Sequence, residues 1–249
     1  MAGTALPGRL DWLLTTVTGK QVETPRVVTL RLASDAWPGH LPGQHVDVRL
    51  TAEDGYQAQR SYSIASAPEV GRLELTVEEI AEGEVSPYLI DELRAGDGLE
   101  LRGPIGGHFV WTEQEGGPLL LIAGGSGIVP LMSMLRYRRQ IGSAVPATLL
   151  VSSRSWEEII YREELARLAA DPAVRIVHTL TRSRPPGWEG YTRRIDLAML
   201  AEVAGPPQPG DLAYVCGPTG LVEMAANGLV TLGYAPETIK TERFGPSGT

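Results

Sequence analysis

Arg60, Tyr62 and Ser63 stand together in the stretch QRSYSIASAP, Gln59 to Pro68, and they offer a guanidinium fork, an aromatic plane and a hydroxyl. Forked N–H donors suit phosphate, an aromatic face suits a heteroaromatic ring, and a short hydroxyl both donates and accepts. In an extended chain Arg60, Tyr62, Ile64 and Ser66 share one side while Ser61, Ser63 and Ala65 share the other, so neither side is an ordinary core face. A second group lies in LLLIAGGSGIVPLMSML, where Gly124, Gly125, Ser126 and Gly127 follow an apolar run and precede helical spacing. Unhindered backbone N–H groups at such a strand-to-helix turn receive a pyrophosphate. Glycines there also serve tight turning alone, and the spacing is G-G-S-G rather than G-x-G-x-x-G. Cys216 closes the apolar run LAYVC, with Gly217 and Pro218 turning into the next helical segment. A lone thiol is usually a small buried hydrophobe, but the carboxyl end of a parallel strand is also where ligands lie.

The elements that must carry these groups change in texture near Gly116-Gly117-Pro118. Before it come six short β-rich runs, WLLTTVTG, RVVTLRLAS, QHVDVRLT, RSYSIAS, RLELTVEEI and DGLELRGP, separated by turn residues; these predict a small antiparallel barrel. After it, PLLLIAG, ATLLVSS, VRIVHTL and LAYVCG alternate with helical stretches, among them VPLMSMLRYRRQ, EEIIYREELARLAA, DLAMLAEV and TGLVEMAANGLVTLG. Alternation of this kind predicts a parallel sheet with helices on both faces. The expected division is a barrel over residues 1–115 and an α/β domain over 116–249, which suits a chain of 249 residues that is 43% hydrophobic with 29 glycines and 19 prolines. No apolar run reaches about 18 residues and the start, MAGTALPGRLDWLL, lacks the pattern of a signal peptide, so a cytoplasmic setting is expected. A formal net charge of -8 argues against broad nucleic-acid binding. With one cysteine the chain holds neither a disulfide framework nor a thiolate metal site, so any electrons it handles sit on an organic cofactor.

RSYSIAS, GGSGIVP, CGPTGLVE and the closing ERFGP occur in the order and spacing of the ferredoxin–NADP reductase family of flavoproteins, and this resemblance spans nearly the whole chain. It implies an antiparallel flavin-binding barrel followed by a parallel nucleotide-binding domain. It further implies that Arg60, Ser61, Tyr62 and Ser63 hold the flavin: Arg60 on its phosphate, Tyr62 against the isoalloxazine and ribityl portion, Ser63 at N5. EGEVSPYLIDEL resembles the family's second phosphate segment, in which Gly83, Glu84 and Val85 present backbone N–H groups and Ser86 its hydroxyl, favouring FAD over FMN. Ser86 as an N-cap with Pro87 at the first helical position accounts for the same residues without a ligand. Glu78 and Glu79 depart from relatives that carry a basic residue there. By the same resemblance Ser63 and Cys216 flank the centre where hydride passes from nicotinamide C4 to flavin N5, Glu242 joins their hydrogen-bond network, and Phe244 covers the flavin face that nicotinamide must occupy. Five residues, GPSGT, follow Phe244, as in the flavohaemoglobin-like branch.

NADPH is expected rather than NADH, because Ser153 and Arg154 follow the second parallel strand and no acidic residue immediately ends it to hold a ribose 2′-hydroxyl. Arg162 and Arg182 are further candidates for the 2′-phosphate, although these arginines also suit ion pairs on a solvated helix face. No metal site is expected. The implied activity is a flavin-dependent reductase passing electrons singly to a separate acceptor, a ferredoxin that serves an oxygenase or a haem monooxygenase. Arg136, Arg138, Arg139, Arg193 and Arg194 are candidate docking charges for it. The alternatives are a reductase of free flavin, quinone or ferric chelate, and a non-catalytic electron-transfer accessory subunit.

Overall fold

A computed structural model describes residues 10–244 of the chain. Its first half is a six-stranded antiparallel sheet built from β1 (Trp12–Thr24), β2 (Val27–Ala33), β3 (His45–Thr51), β4 (Gln57–Ser63), β5 (Arg72–Glu78) and β6 (Gly98–Ile105). The order across the sheet is β4-β3-β6-β1-β2-β5, and a bridge between Ile64 and Leu75 brings its two edges together. Residues two apart along each strand face one core: Leu30 and Leu32, Val46 and Val48, Leu73, Leu75 and Val77, Leu99 and Leu101. That period-two pattern is what makes these runs strands rather than helices, since only a pleated chain buries alternate residues. One helical turn, α1 (Val85–Pro87), runs into a π-helical turn, Tyr88–Glu92, and inserts Val85 and Leu89 into the same core.

The second half is a five-stranded parallel sheet of β7 (Leu119–Gly124), β8 (Ala147–Ser153), β9 (Val174–Leu180), β10 (Leu212–Pro218) and β11 (Ile239–Phe244), in the order β11-β10-β7-β8-β9. β7 is buried along its whole length, as a central parallel strand covered on both faces must be. Helices α2 (Ile128–Gln140) and α3 (Arg162–Leu168) pack into one core; α4 (Leu197–Ala204) and α5 (Thr219–Thr231) pack into the other, on the opposite face. Strand order reverses between β7 and β10, and a crevice opens outside the strand ends at that point. The Gly124–Gly127 turn and the Cys216–Pro218 turn are the two lips of this crevice.

The helix expected across EEIIYREELARLAA is shorter than its spacing predicts. α3 begins at Arg162, because Tyr161 adopts a left-handed backbone (φ 58°) that ends helical continuity on its N-terminal side. This conformation turns the Tyr161 ring into the seam between the two halves, where its hydroxyl lies 2.5 Å from the Thr76 hydroxyl of β5. Thr76 is in turn 2.8 Å from Thr29, whose hydroxyl donates to the Glu23 carboxylate at 2.8 Å. Burial raises the Glu23 carboxyl above its usual range, against the pull of the Thr29 hydrogen bond. Arg136 of α2 closes the seam on its other side: it lies over the Tyr161 ring and donates to the Ala65 carbonyl, to Glu74 and, through two nitrogens, to Glu164.

Candidate active site

Arg60, Tyr62 and Ser63 line one cavity of about 640 Å3 together with Thr76, Gly83, Ser126 and Phe244. Its wall comes from the barrel on one side and the Gly-Ser-Gly turn on the other, so neither half completes it alone. Among the described residues Arg60 donates only to the neighbouring Gln59 carbonyl (2.6 Å), which leaves most of its fork free for an anion. Burial pushes the Tyr62 phenol up to about 12, against the nearby Arg60 charge, so the ring is a neutral platform at any physiological pH. A free guanidinium beside a neutral aromatic wall fits the phosphate and the ring of a flavin.

The 83–86 segment differs in part from expectation. The Gly83 amide is already given to the Ile80 carbonyl (2.7 Å), so it is not an available phosphate donor. The Ser86 hydroxyl accepts from the Ile80 amide (2.9 Å) and is buried, tying the loop to the barrel; it does not cap α1. The amides of Glu84 and Val85 lie where a helix begins and lacks internal acceptors. Glu84 itself borders a separate cavity with Tyr56 and Tyr88.

A second cavity, of about 500 Å3, is lined by Gly124, Gly125, Ser126, Ser153, Arg154 and Pro218. The two cavities share Glu78, Ile80, Ser126 and Phe244, so ligands filling both would meet at the Phe244 ring. The glycines are needed here for close approach. A Cβ on Gly127 would stand 2.1 Å from the Cys216 carbonyl oxygen, and one on Gly217 (φ 153°) would stand 3.0 Å from Gly124 backbone. Any side chain would therefore force the two lips apart. Arg162 and Arg182 are outside the residues lining this cavity; the Arg162 guanidinium lies over the Trp156 ring, 5.3 Å from its centroid.

Ser63, Glu242 and Phe244 converge on a third space of about 210 Å3, with His45, Ser61 and Arg243. Sheet register places them: Ser63 faces His45 across β4 and β3, and Glu242 lies beside Cys216 across β11 and β10. Cys216 is fully buried, and burial, with the Glu242 charge adding to it, holds its thiol protonated well above the ordinary range. It is a neutral weak donor rather than a nucleophile. Burial raises the Glu242 carboxyl from 4.5 to about 7, so it takes up and gives up a proton near neutrality. The five residues after Phe244 lie outside the described residues.

Three contributors went unread in the sequence. Arg26, in the β1–β2 turn, lines the nucleotide cavity and donates to the Glu79 carbonyl (2.7 Å). His45 reaches the reaction space, where burial lowers its pKa against the pull of Asp47. Thr76 reaches the flavin cavity. Only the strand register, with Thr76 on β5 and His45 opposite Ser63, could have revealed the last two. Two of the expected docking arginines are withdrawn: Arg136 is held in the seam, and Arg138 is buried between the Val145 carbonyl (2.5 Å) and Asp171 (2.8 Å). Arg193 is exposed but paired with Asp196 (2.7 Å).

A family model of the oxidoreductase FAD-binding domain matches residues 16–111, and one of the oxidoreductase NAD-binding domain matches residues 121–227. Ferredoxin–NADP reductase B of Sorangium cellulosum is 35% identical over 212 residues, covering 81% of this chain and 84% of that protein. The ferredoxin–NAD(P)(+) reductase component of the naphthalene 1,2-dioxygenase system of Pseudomonas putida is 29% identical over 214 residues, 83% of this chain. The chain spans only 61% of that relative's length. The crystal structure of an Amycolatopsis cytochrome P450 reductase superposes with a TM-score of 0.82 at 27% identity, covering 96% of this chain and 71% of the other.

Proposed function

Because the chain belongs to the ferredoxin–NADP reductase family of FAD- and NAD-binding oxidoreductases, we propose that it takes hydride from NADPH onto FAD and passes the electrons singly to a separate acceptor. The acceptor we favour is a small iron–sulfur ferredoxin serving an oxygenase or a haem monooxygenase, in a cytoplasmic setting. One observation carries this reading: the flavin-side and nucleotide-side cavities share Ser126 and Phe244, next to the space where Ser63 and Glu242 converge. A bound flavin supplies the conversion of a two-electron donor into a one-electron donor. Arg60 would anchor its phosphate and Tyr62 would cover its ring. Ser63 would hold the ring edge by hydrogen bonding, and Glu242 would accept or return the proton that accompanies the electrons. Phe244 would exclude water from the ring until nicotinamide displaces it, and Cys216 would fill the site floor without competing as a nucleophile. Ser153 and Arg154, joined by Arg26, are the groups we assign to the 2′-phosphate of NADPH. We place the boundary between the two domains between Glu115 and Gly116, after the last barrel strand and before β7.

The test is the visible spectrum of the purified protein before and after NADPH or NADH is added without oxygen. A yellow protein bleached by NADPH is expected. A colourless protein that takes up no added FAD overturns the proposal, and a yellow protein inert to both nucleotides identifies an accessory subunit instead.

A further inference from the structure

The seam between the two halves buries a row of polar groups that docking alone does not require. Val27 and Thr29 of β2 alternate with the barrel-core residues Val28 and Leu30, so they share the outer face, which the nucleotide-binding half covers. Val27 packs into the apolar core of that half, as an interface residue does. Thr29 is 3% exposed and pairs across the sheet with Thr76, which is 4% exposed. Their hydroxyls are 2.8 Å apart, with Glu23 beyond Thr29 and Tyr161 beyond Thr76. Glu23 occupies a bulge: Val22 faces Val28 and Thr24 faces Val27, so Glu23 is the extra residue of β1, and its side chain is aimed at Thr29. An apolar pair would pack this seam without desolvating a carboxyl.

The two ends of the row open on different spaces. Thr76 lines the flavin cavity and neither the nucleotide cavity nor the reaction space. Glu23 and Thr29 line a separate groove of about 560 Å3 between the barrel and helices α2 and α3, where Gln21, Arg139 and Arg167 are exposed. Burial raises the Glu23 carboxyl, helped by the charges of Glu164 and Glu74 and opposed by the Thr29 hydrogen bond and the Arg136 charge; Arg31, Arg139 and Arg167 border the same groove. Each hydroxyl of the row donates one hydrogen and accepts another. With Glu23 ionised, Thr29 donates to its Oε1, Thr76 to Thr29 and Tyr161 to Thr76, so every hydrogen points toward the groove.

We propose, on the flavin reading above, that Thr76, Thr29 and Glu23 form a proton exit from the flavin cavity to this groove. A hydride is one proton with two electrons, so when both electrons go on singly to the acceptor one proton is left in the cavity. Thr76 takes that proton on its oxygen as its own hydrogen passes to Thr29 and that of Thr29 to Glu23. The O–H of Glu23 then breaks, its proton going to water in the groove, and the hydroxyls rotate back. Tyr161 holds Thr76 in place, and burial, which pushes its phenol up, keeps it out of the transfer. Because Thr76 is clear of the nucleotide cavity, this exit stays open while oxidised nucleotide occupies the Phe244 side on which Glu242 stands.

The test is stopped-flow reoxidation of the full chain with its flavin, reduced by equimolar NADPH without oxygen and then mixed with ferricyanide and excess NADP. A pH-indicator dye in weak buffer follows the proton while flavin absorbance follows the electrons. Wild type should release the proton together with the electrons. Glu23→Gln keeps an acceptor for Thr29 but carries no proton, and Thr29→Val cuts the row; each should delay proton release roughly 100-fold, the lower end of what a positioned proton carrier contributes. Thr29→Ser, which keeps the hydroxyl, should restore it. Flavin content and thermal melting check each variant, and Glu23→Gln decides alone if Thr29→Val does not fold. Proton release as fast in the variants as in wild type overturns the exit and leaves the flavin reading standing. So does an equal delay in Thr29→Val and Thr29→Ser, or an equal slowing of flavin reduction by NADPH, a step that moves hydride alone; either result marks a structural row. A wild type that holds no flavin, or whose flavin NADPH does not reduce, overturns the flavin reading itself.

Discussion

Replacing Glu242 by glutamine tests the reaction space directly, because glutamine keeps the shape of the neutral acid and cannot ionise. The carboxyl is raised from 4.5 to about 7 by burial. At about 1.4 kcal/mol for each pH unit between those values, ionising it in the folded protein costs about 3 kcal/mol. Since the folded-state pKa is the higher one, the folded chain holds the proton in this window and the unfolded chain does not. Stability contributed by the neutral carboxyl is therefore fully present below pH 4.5 and is lost as pH rises through about 7. Glu242→Gln lacks this contribution and keeps every other titrating group, so the difference between the two proteins isolates it. Relative to the variant, wild type should fall by about 3 kcal/mol between acid and pH 8, read as roughly a 10 °C difference in melting shift. The same ionisation should appear as a limb near pH 7 in the rate of flavin reduction by NADPH, a limb that the variant lacks. Parallel pH profiles of melting for the two proteins would refute the assignment of a buried, proton-exchanging acid at this position.

Phe244→Ser removes the ring shared by both cavities, so binding of the nicotinamide half should tighten for NADP and NAD alike and NADH should compete better with NADPH. Titration with both oxidised nucleotides, watched for a charge-transfer band, checks this; unchanged affinities mean that the ring does not cover the site. Arg154→Ala should raise KM for NADPH about 10-fold and leave that for NADH within about twofold, because only one of them loses a charge-assisted contact. Equal losses for both nucleotides would make Arg154 structural. Arg60→Ala should weaken flavin retention roughly 10- to 150-fold, the range of a charge-assisted hydrogen bond of about 1.5 to 3 kcal/mol. Flavin release during dialysis measures it, and full retention would place the phosphate elsewhere.

Most barrel runs and the first four parallel strands were legible because burial of alternate residues, or of every residue in β7, imposes its period on composition, whereas β4 was legible from its chemistry and flanking turns and not from a core period. The glycine turn and the Cys216 turn were legible for a related reason: backbones that nearly touch exclude side chains, and this leaves glycine in the sequence. Contacts between the halves were not legible. Nothing local marks Tyr161 as the residue before which α3 cannot extend, since its side chain is held by a hydroxyl 85 positions away in the chain. Arg136 and Arg138 are two apart and so point to different sides of α2, yet Arg138 is buried and Arg136 nearly so, because the helix is covered by the sheet on one flank and by the Ser66–Pro68 stretch of the barrel on another. An arginine's partners are invisible until the second surface is known. His45 was missed on the same ground, since its relevance comes from the strand opposite.

Arg136 also bears on how freely such a reductase can be taken apart and recombined. Its contact with the Ala65 carbonyl asks nothing of sequence, since any barrel with the same backbone offers it, and so does the Ser133 hydroxyl donating to the Ser66 carbonyl. Glu74 is a side chain, and it belongs to the opposite half from Glu164. A foreign barrel lacking an acid at the position of Glu74 would meet a cation already neutralised by Glu164 and would still dock. A foreign nucleotide domain that kept Arg136 and lost Glu164 would instead leave that nearly buried cation on the single longer contact with Glu74 (3.3 Å), in place of the two-nitrogen grip on Glu164. Exchange of halves between such reductases is therefore asymmetric: the barrel is the portable part, and the nucleotide domain must travel with Arg136 and Glu164 together.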